Sequence, residues 1–232
     1  MYLYIMENFY KRKELRKYLP KVDNPNVHLH QLDKLPFRMI VCAPSGSGKS
    51  NFLLNLIDKY SKGKGTFHSI HLICRSKCEP LYEYLEDKTK KKIKIEEGVA
   101  NIPDINKFDK SQNHLVIFDD LVLERDQSKL TEFYIRGRKK GVSICYLSQS
   151  FYKVPKTIRS NCNYFVILKL SGKRDLNLIM SEFELGIDKD ELLEIYEDAT
   201  KEKFSVLLID NEAEKNKRFR RNFLEFYDIE DE

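Results

Sequence analysis

A glycine- and serine-rich segment that ends in lysine carries the clearest chemistry in the chain. Glycine lacks a Cβ atom, so at Gly46 and Gly48 the backbone N–H groups can curl around phosphate oxygens. Lys49 can reach the β- and γ-phosphates of a nucleotide, and the hydroxyl of Ser50 can bind Mg²⁺. The nine residues predicted to hold a nucleoside triphosphate are Ala43, Pro44, Ser45, Gly46, Ser47, Gly48, Lys49, Ser50 and Asn51.

Two consecutive acids end an apolar run over residues 114–118. An acid at such a strand end holds Mg²⁺ in phosphate-loop ATPases, a role that we assign to Asp119. Asp120 is then the candidate base that orients the attacking water. Aspartate is also common in ordinary turns after strands, but the phosphate loop upstream favours the metal-binding interpretation.

A glutamine and three arginines complete the set of candidate catalytic residues. Gln149 follows the apolar run 142–147, where a polar side chain can contact the γ-phosphate and relay hydrolysis to the rest of the molecule. An arginine from a neighbouring subunit can stabilise charge in the transition state, and Arg138 is the preferred candidate for it. Arg159 and Arg174 remain open, as does a solvated or DNA-facing role for any of the three.

Alternating strand and helix patterns predict the elements that position these residues. Such alternation indicates βαβ units and a mostly parallel sheet, and the interval between Lys49 and Asp119 leaves room for a further βα unit and a short strand at 92–95. An extra strand between the lysine-loop strand and the acidic strand is typical of motor-type ATPases. The predicted strands are 38–42, 69–74, 114–118, 142–147, 164–170 and 204–209, the predicted helices are 50–60, 79–87, 128–140 and 174–183, and 219–227 is predicted to form a hairpin with 204–210.

Composition narrows the class of protein. The chain has 232 residues and a net charge of +5, which is compatible with nucleic-acid binding only if the basic residues cluster. No apolar run approaches the length of a membrane helix, so we expect an intracellular protein without a membrane partner. The five cysteines favour reduced thiols over a disulfide framework. We predict a lead-in at residues 1–36, helical around 11–17, and one motor domain at residues 37–232.

Two further patterns look like sites and are assigned to chance. Residues 106–109 match the guanine-reading N-K-x-D motif, but they precede the acidic strand instead of following it. A zinc site formed by His68, His71, Cys74 and Cys78 is disfavoured because side chains of a strand alternate between its two faces. Basic clusters near 11–17, 88–94, 136–140 and 215–221 are candidates for contacts with DNA phosphates, although charge runs are usually solvated faces.

Taken in order, the segments 36–39, 117–121, 137–141, 146–150 and 158–161 resemble the poxvirus-type genome-packaging ATPases of large DNA viruses and their virophages. These form a branch of the FtsK–HerA superfamily, and the resemblance runs from about Pro36 to Tyr227. It implies a RecA-like (ASCE) P-loop NTPase of the α/β class, with helices on both faces of the sheet and a C-terminal β-hairpin. In this sequence Ala43 replaces the first glycine of the phosphate loop.

The resemblance also implies an activity and partners. Lys49, Ser50, Asp119, Asp120 and Gln149 take the family's lysine-loop, acidic-strand and sensor positions. The expected activity is Mg²⁺-dependent ATP hydrolysis by a homo-oligomeric ring that drives double-stranded DNA into a preformed capsid. Expected partners include a capsid or portal-vertex protein, and the expected location is the host cytoplasm, in viral factories, or the virion. The alternatives are a DNA-repair or DNA-transfer ATPase of the same superfamily and a slow nucleotide-binding regulatory protein.

Overall fold

The strands of a computed structural model form one sheet. The structure describes Asn8 and residues 11–15, 23–89 and 92–229. In that part of the chain the spatial order of the strands is β3-β2-β4-β5-β1-β6-β7-β8-β9. The strands are β1 (Arg38–Cys42), β2 (Ser69–Cys74), β3 (Ile93–Glu97), β4 (His114–Asp119), β5 (Val142–Ser148), β6 (Tyr164–Ile167), β7 (Leu207–Asp210), β8 (Phe219–Arg221) and β9 (Glu225–Phe226).

The first six strands in this order pair in parallel, and the last three pair antiparallel. Strand β5 lies between β1 and β4, so an extra strand separates the strand before the lysine loop from the acidic strand. The predicted mostly parallel α/β sheet of the ASCE type is confirmed.

Helices cover both faces of the sheet. Residues of β1 alternate between two cores: Ile40 and Cys42 join one, and Met39 and Val41 join the other. Buried side chains of α2 and α3 pack into the second core, and those of α4 to α7 into the first. The helices are α1 (Val27–His30), α2 (Lys49–Ser61), α3 (Pro80–Thr89), α4 (Ser128–Arg136), α5 (Lys156–Arg159), α6 (Arg174–Glu182), α7 (Lys189–Ala199) and α8 (Lys215–Arg218).

Several elements differ from the sequence prediction. Strand β6 ends at Ile167 and β7 begins at Leu207, so both are shorter than predicted, and the predicted helix 128–140 ends as an α-helix at Arg136. The short helices α1 and α5 were not predicted.

Residues 219–227 form two strands, because Asn222 adopts a left-handed conformation (φ +57°) and turns the chain between β8 and β9. Helix α8 occupies part of the predicted 211–217 turn. Helix α7 was not predicted, although Asp188 caps it by accepting hydrogen bonds from two backbone N–H groups and its buried residues have helical spacing.

The segment directly before β1 packs on the domain. The Asn26 side-chain amide donates to the carbonyl oxygens of Tyr60 and Lys62 at 3.0 Å, and Leu32 is fully buried. In the basic stretch 11–17, Lys13–Leu15 forms a 3₁₀ turn, and Arg16 and Lys17 lie outside the described residues. The domain boundary at residue 37 stays a prediction. Among the described residues, no helix combines the length and apolarity needed to cross a membrane.

Candidate active site

Three strand ends create the candidate site. The strands β1, β5 and β4 are parallel neighbours, so the segments that follow them meet at one edge of the sheet. Ala43 N–H donates to the carbonyl oxygen of Ser148, and Asp120 N–H donates to that of Leu147, both at 3.1 Å. These bonds fix the loop and the second acid to β5. The resulting cavity has a volume of 410 Å³ and is lined by Ser45, Gly46, Gly48, Lys49, Ser50, Asn51, Glu79, Leu81, Asp119, Asp120, Gln149 and Phe204.

The loop needs glycine at two positions. Gly46 and Gly48 have φ angles of +73° and +102°, which side chains of L-residues rarely tolerate. A Cβ atom on Gly48 would also lie 2.6 Å from the ring of Phe204. This conformation places the N-terminus of α2, which begins at Lys49, directly after the loop.

Lys49 folds back over the loop. Its Nζ atom donates to the carbonyl oxygens of Ala43 at 2.8 Å and Pro44 at 3.0 Å. Burial lowers the pKa of this ammonium, and the nearby carboxylates of Asp119 and Asp120 oppose the shift. The lysine is therefore placed where it can exchange loop carbonyls for phosphate oxygens.

Asp119 is the half-buried last residue of β4 and follows five buried residues. Burial raises the pKa of its carboxyl group, and a 2.7 Å hydrogen bond from the Tyr82 hydroxyl opposes that shift. Burial likewise raises the pKa of Tyr82, so its hydroxyl stays protonated and can act as the donor. Ser50 and Asp119, the two predicted Mg²⁺ ligands, line the same cavity.

Asp120 and Gln149 are in direct contact. The side-chain amide of Gln149 donates to both carboxylate oxygens of Asp120, at 3.0 and 3.1 Å. Asp120 adopts a left-handed backbone conformation (φ +54°), which turns the chain sharply after β4. The pair faces the cavity beside the loop.

The three candidate arginines occupy different environments. Arg138 is exposed in the 3₁₀ turn Gly137–Lys140, before β5 and therefore at the opposite edge of the sheet from the cavity. Arg159 is buried: its Nε donates to Glu182 at 2.7 Å, and its guanidinium also donates to the carbonyl oxygen of Val154. Arg174 is exposed and stacks on the ring of Tyr152 at 3.8 Å. Arg159 thus supports its own domain, whereas Arg138 and Arg174 can face another molecule.

The sequence did not indicate four residues at the site: Glu79, Leu81, Tyr82 and Phe204, of which Tyr82 contacts Asp119 and the other three line the cavity. The first three lie at or near the start of α3, and Phe204 precedes β7. None belongs to a local motif, so only the fold brings them to the loop.

The two patterns assigned to chance do not form sites. Asn106 takes part in a hydrogen bond to Arg136, at the edge of the sheet remote from the phosphate loop. No group of three or more His, Cys, Asp or Glu residues in the described part of the chain is arranged to hold a metal ion. In place of a zinc site, His114 Nδ1 and the Ser69 hydroxyl share a 2.8 Å hydrogen bond.

Solved structures share this fold. The packaging NTPase B204 from Sulfolobus turreted icosahedral virus 2, in complex with AMPPCP, is 12% identical, with a TM-score of 0.56 over 81% of this chain and 97% of that one. EssC (ATPases 2 and 3) from Geobacillus thermodenitrificans is 9% identical, with a TM-score of 0.56 over 85% of this chain and 41% of EssC.

Sequence comparisons identify the family. The chain is 31% identical over 173 residues to the DNA packaging protein OPG160 of Vaccinia virus (strain Copenhagen), covering 68% of this chain and 62% of the relative. The monkeypox virus protein of the same name matches equally, over 56% of its length. The chain thus spans about three fifths of the length of these curated relatives. The family model described as Poxvirus A32 protein matches residues 26–228, and the chain therefore belongs to that family.

Proposed function

We propose that this protein is an ATP-driven double-stranded DNA translocase that packages a viral genome into a preformed capsid. The observation that carries the proposal is the convergence of Lys49, Asp119 and Gln149 on one cavity, with β5 between the lysine-loop and acidic strands. The chain belongs to a family whose curated relatives are named DNA packaging proteins. This membership supports DNA as the molecule that ATP hydrolysis moves.

The donor set fits Mg²⁺-ATP. Mg²⁺ prefers oxygen ligands, and Ser50 and Asp119 offer a hydroxyl and a carboxylate in the same cavity. A buried carboxylate with a raised pKa gains stability from a nearby cation, which would favour its ionised form. When bound, Mg²⁺ would neutralise charge on the β- and γ-phosphates. The positive φ angles of the loop present backbone N–H groups to those phosphates.

Hydrolysis would depend on the Asp120–Gln149 pair. Asp120 accepts two hydrogen bonds from Gln149 and lies beside Asp119, so its carboxylate can orient water towards the γ-phosphate. Gln149 contacts the Asp120 carboxylate and also lines the cavity beside the phosphate loop. Loss of the γ-phosphate could therefore change the position of Gln149 and of strand β5, which precedes it. Lys49 supplies positive charge at the same end of the nucleotide.

A homo-oligomeric ring would complete the site. Arg138 lies at the edge of the sheet opposite the cavity, so it cannot reach the phosphates of its own subunit. It can reach those of a neighbour, which would couple hydrolysis to assembly. The exposed basic residues of Gly137–Lys140 are alternatively placed to contact phosphates of DNA. Capsid or portal-vertex proteins are the proposed further partners, in host viral factories or the virion.

ATPase activity with and without duplex DNA tests the proposal directly. We expect DNA-stimulated turnover in the wild type and none in Lys49→Ala, because the loop then lacks its phosphate-binding cation. Lys62→Ala is the matched control, since Lys62 caps the other end of α2 and lies outside the cavity. Mass measured with and without ATP should reveal a ring.

The outcomes separate this function from its alternatives. Full turnover in Lys49→Ala would overturn the site assignment. A monomer whose slow hydrolysis ignores DNA would support a nucleotide-binding regulator instead of a translocase. A DNA-stimulated ring that processes DNA without any capsid would favour a repair or transfer ATPase.

A further inference from the structure

Phe204 is an exposed aromatic residue in a constrained position. Its side chain is 47% exposed, although most phenylalanines of the described chain pack in the cores. Its backbone φ is +69°, a left-handed value that is unfavourable for a bulky residue. A strained, exposed aromatic side chain beside a binding cavity calls for an explanation beyond packing.

The sheet topology places Phe204 on a definite side of the phosphate loop. Strands β5 and β4, with Gln149 and Asp119 at their ends, lie on one side of β1, and β6 and β7 lie on the other. Because β7 runs antiparallel, its start lies at the same edge of the sheet as the loop. Phe204 therefore reaches the cavity from the side opposite the acids.

The positions of the site residues determine the orientation of a nucleoside triphosphate bound in this cavity. Its γ-phosphate belongs beside the acids and Gln149, so its ribose and base must extend towards Phe204. The Phe204 ring packs against Gly48, where an added Cβ atom would lie 2.6 Å from its Cδ1 atom and 3.2 Å from its Cε1 atom. Lys203 Nζ lies over the ring, 4.9 Å from its centroid, so the ring already takes part in a contact with a cation. Nearly half of the residue is nevertheless exposed and remains accessible to a base.

We infer that Phe204 is the platform on which the nucleotide base stacks. The inference rests on the proposed nucleotide site and adds the residue that holds the base. Stacking requires only a π-face, so the platform accepts adenine and guanine alike, and selection between them is not expected from Phe204. Because Gly48 has no side chain, the Phe204 ring can pack directly against the phosphate loop.

The absence of tryptophan from the chain allows a direct test. Phe204→Trp introduces a single indole at the platform, and Phe226→Trp places one on the exposed strand β9, four strands from β1 or roughly 19 Å away. We expect ATP and GTP to quench or shift the fluorescence of Phe204→Trp, inorganic tripolyphosphate to leave it nearly unchanged, and Phe226→Trp to respond to none of them.

Calorimetric titration provides the second measurement. In Phe204→Ala the Kd for Mg²⁺-ATP should rise about tenfold, because one stacked base is lost, while the Kd for tripolyphosphate stays the same. Phe204→Tyr should retain wild-type affinity for both. Equal weakening of both ligands would mean that Phe204 only supports the loop, and unchanged affinity for both would place the base elsewhere; either overturns the inference. If Lys49→Ala leaves tripolyphosphate binding intact, the proposed site itself fails.

Discussion

The Tyr82 hydroxyl donates a 2.7 Å hydrogen bond to Oδ2 of Asp119, which ties helix α3 to the end of β4. Tyr82→Phe removes this donor, so the pKa of the buried Asp119 carboxyl should rise further. The acidic limb of the pH profile of kcat should move to higher pH, and the free energy of unfolding should fall by about 1–2 kcal/mol. Tyr84→Phe is the matched control, because Tyr84 is an exposed tyrosine of the same helix. A profile that moves equally in both variants would contradict the prediction.

Replacing the acid itself should separate stability from activity. Burial raises the pKa of folded Asp119 above its ordinary value of 3.8, so its ionised form costs folding energy at neutral pH. Asp119→Asn should therefore raise the free energy of unfolding by roughly 1 kcal/mol at pH 7 without nucleotide or Mg²⁺, while abolishing hydrolysis.

The sign of this effect depends on pH. Below the unfolded pKa both states of the wild type hold the proton, so the advantage of Asp119→Asn should vanish there. It should grow as the pH rises from the unfolded pKa to the raised folded pKa and stay constant above it. Urea denaturation at several pH values measures it, and the exposed Asp87→Asn serves as the control. A stabilisation that is larger in acid than at pH 7 would refute the argument.

The base and its orienting amide should affect turnover more than binding. Asp120→Asn is expected to lower kcat by roughly 100-fold, with the Kd for ATP changed only a few-fold. Gln149→Ala removes both hydrogen bonds to Asp120 and should abolish the DNA-stimulated part of the turnover. Gln112→Ala, an exposed glutamine before β4, is the control. If Asp120→Asn lost ATP binding, the role of Asp120 could not be confined to orienting the attacking water.

Mixing experiments can locate the arginine that acts between subunits. The Arg138→Ala variant retains an intact phosphate loop, and the Lys49→Ala variant retains Arg138. In a mixed ring, Arg138 of a Lys49→Ala subunit can act on the intact site of a neighbouring Arg138→Ala subunit. A mixture of the two inactive variants should therefore regain part of the activity. Arg174→Ala tested in the same way decides between the two exposed candidates. No recovery with either variant would rule out an arginine supplied in trans from these positions.

One glycine outside the site should be indispensable for stability. Gly141 has a φ of +69°, and a Cβ atom there would lie 2.4 Å from the carbonyl oxygen of Gln112. Gly141→Ala should cost about 2–4 kcal/mol in the free energy of unfolding, because backbone strain and a backbone clash add. Gly172→Ala meets no atom within 4 Å and has an ordinary φ, so its unfolding curve should stay close to that of the wild type.

The sequence predicted those parts of the molecule whose signals are local. The strands Arg38–Cys42 and Ser69–Cys74 agree with the prediction to the residue, because continuous apolar runs mark buried parallel strands. The phosphate loop and Asp119 were recognisable because adjacent residues carry their chemistry. A strand order that places β5 between β1 and β4 brings Gln149 to the same edge of the sheet as the phosphate loop and Asp119.

The remaining features depend on contacts between distant segments. Tyr82 reaches Asp119 from α3, and Phe204 reaches the cavity from the segment before β7. Nothing in their neighbouring residues marks either of them. The division of the last strand depends on Asn222, which was not considered as a turn residue. Helix α7 was missed despite a usable signal: Asp188 as its cap and apolar residues at helical spacing.

The position of β1 in the sheet has a consequence for the order in which the protein forms during synthesis. Both neighbours of β1 come much later in the chain: Arg38 pairs with Ile144, and Met39 pairs with Tyr164. A ribosome must therefore release the segment through β5 before the strand that supports the phosphate loop has its first partner, and the segment through β6 before it has both. Such long-range pairing is slow because the loop-closure entropy comes first. A nascent chain that ends before Val142 should consequently fail to bind nucleotide, although it already contains the whole loop.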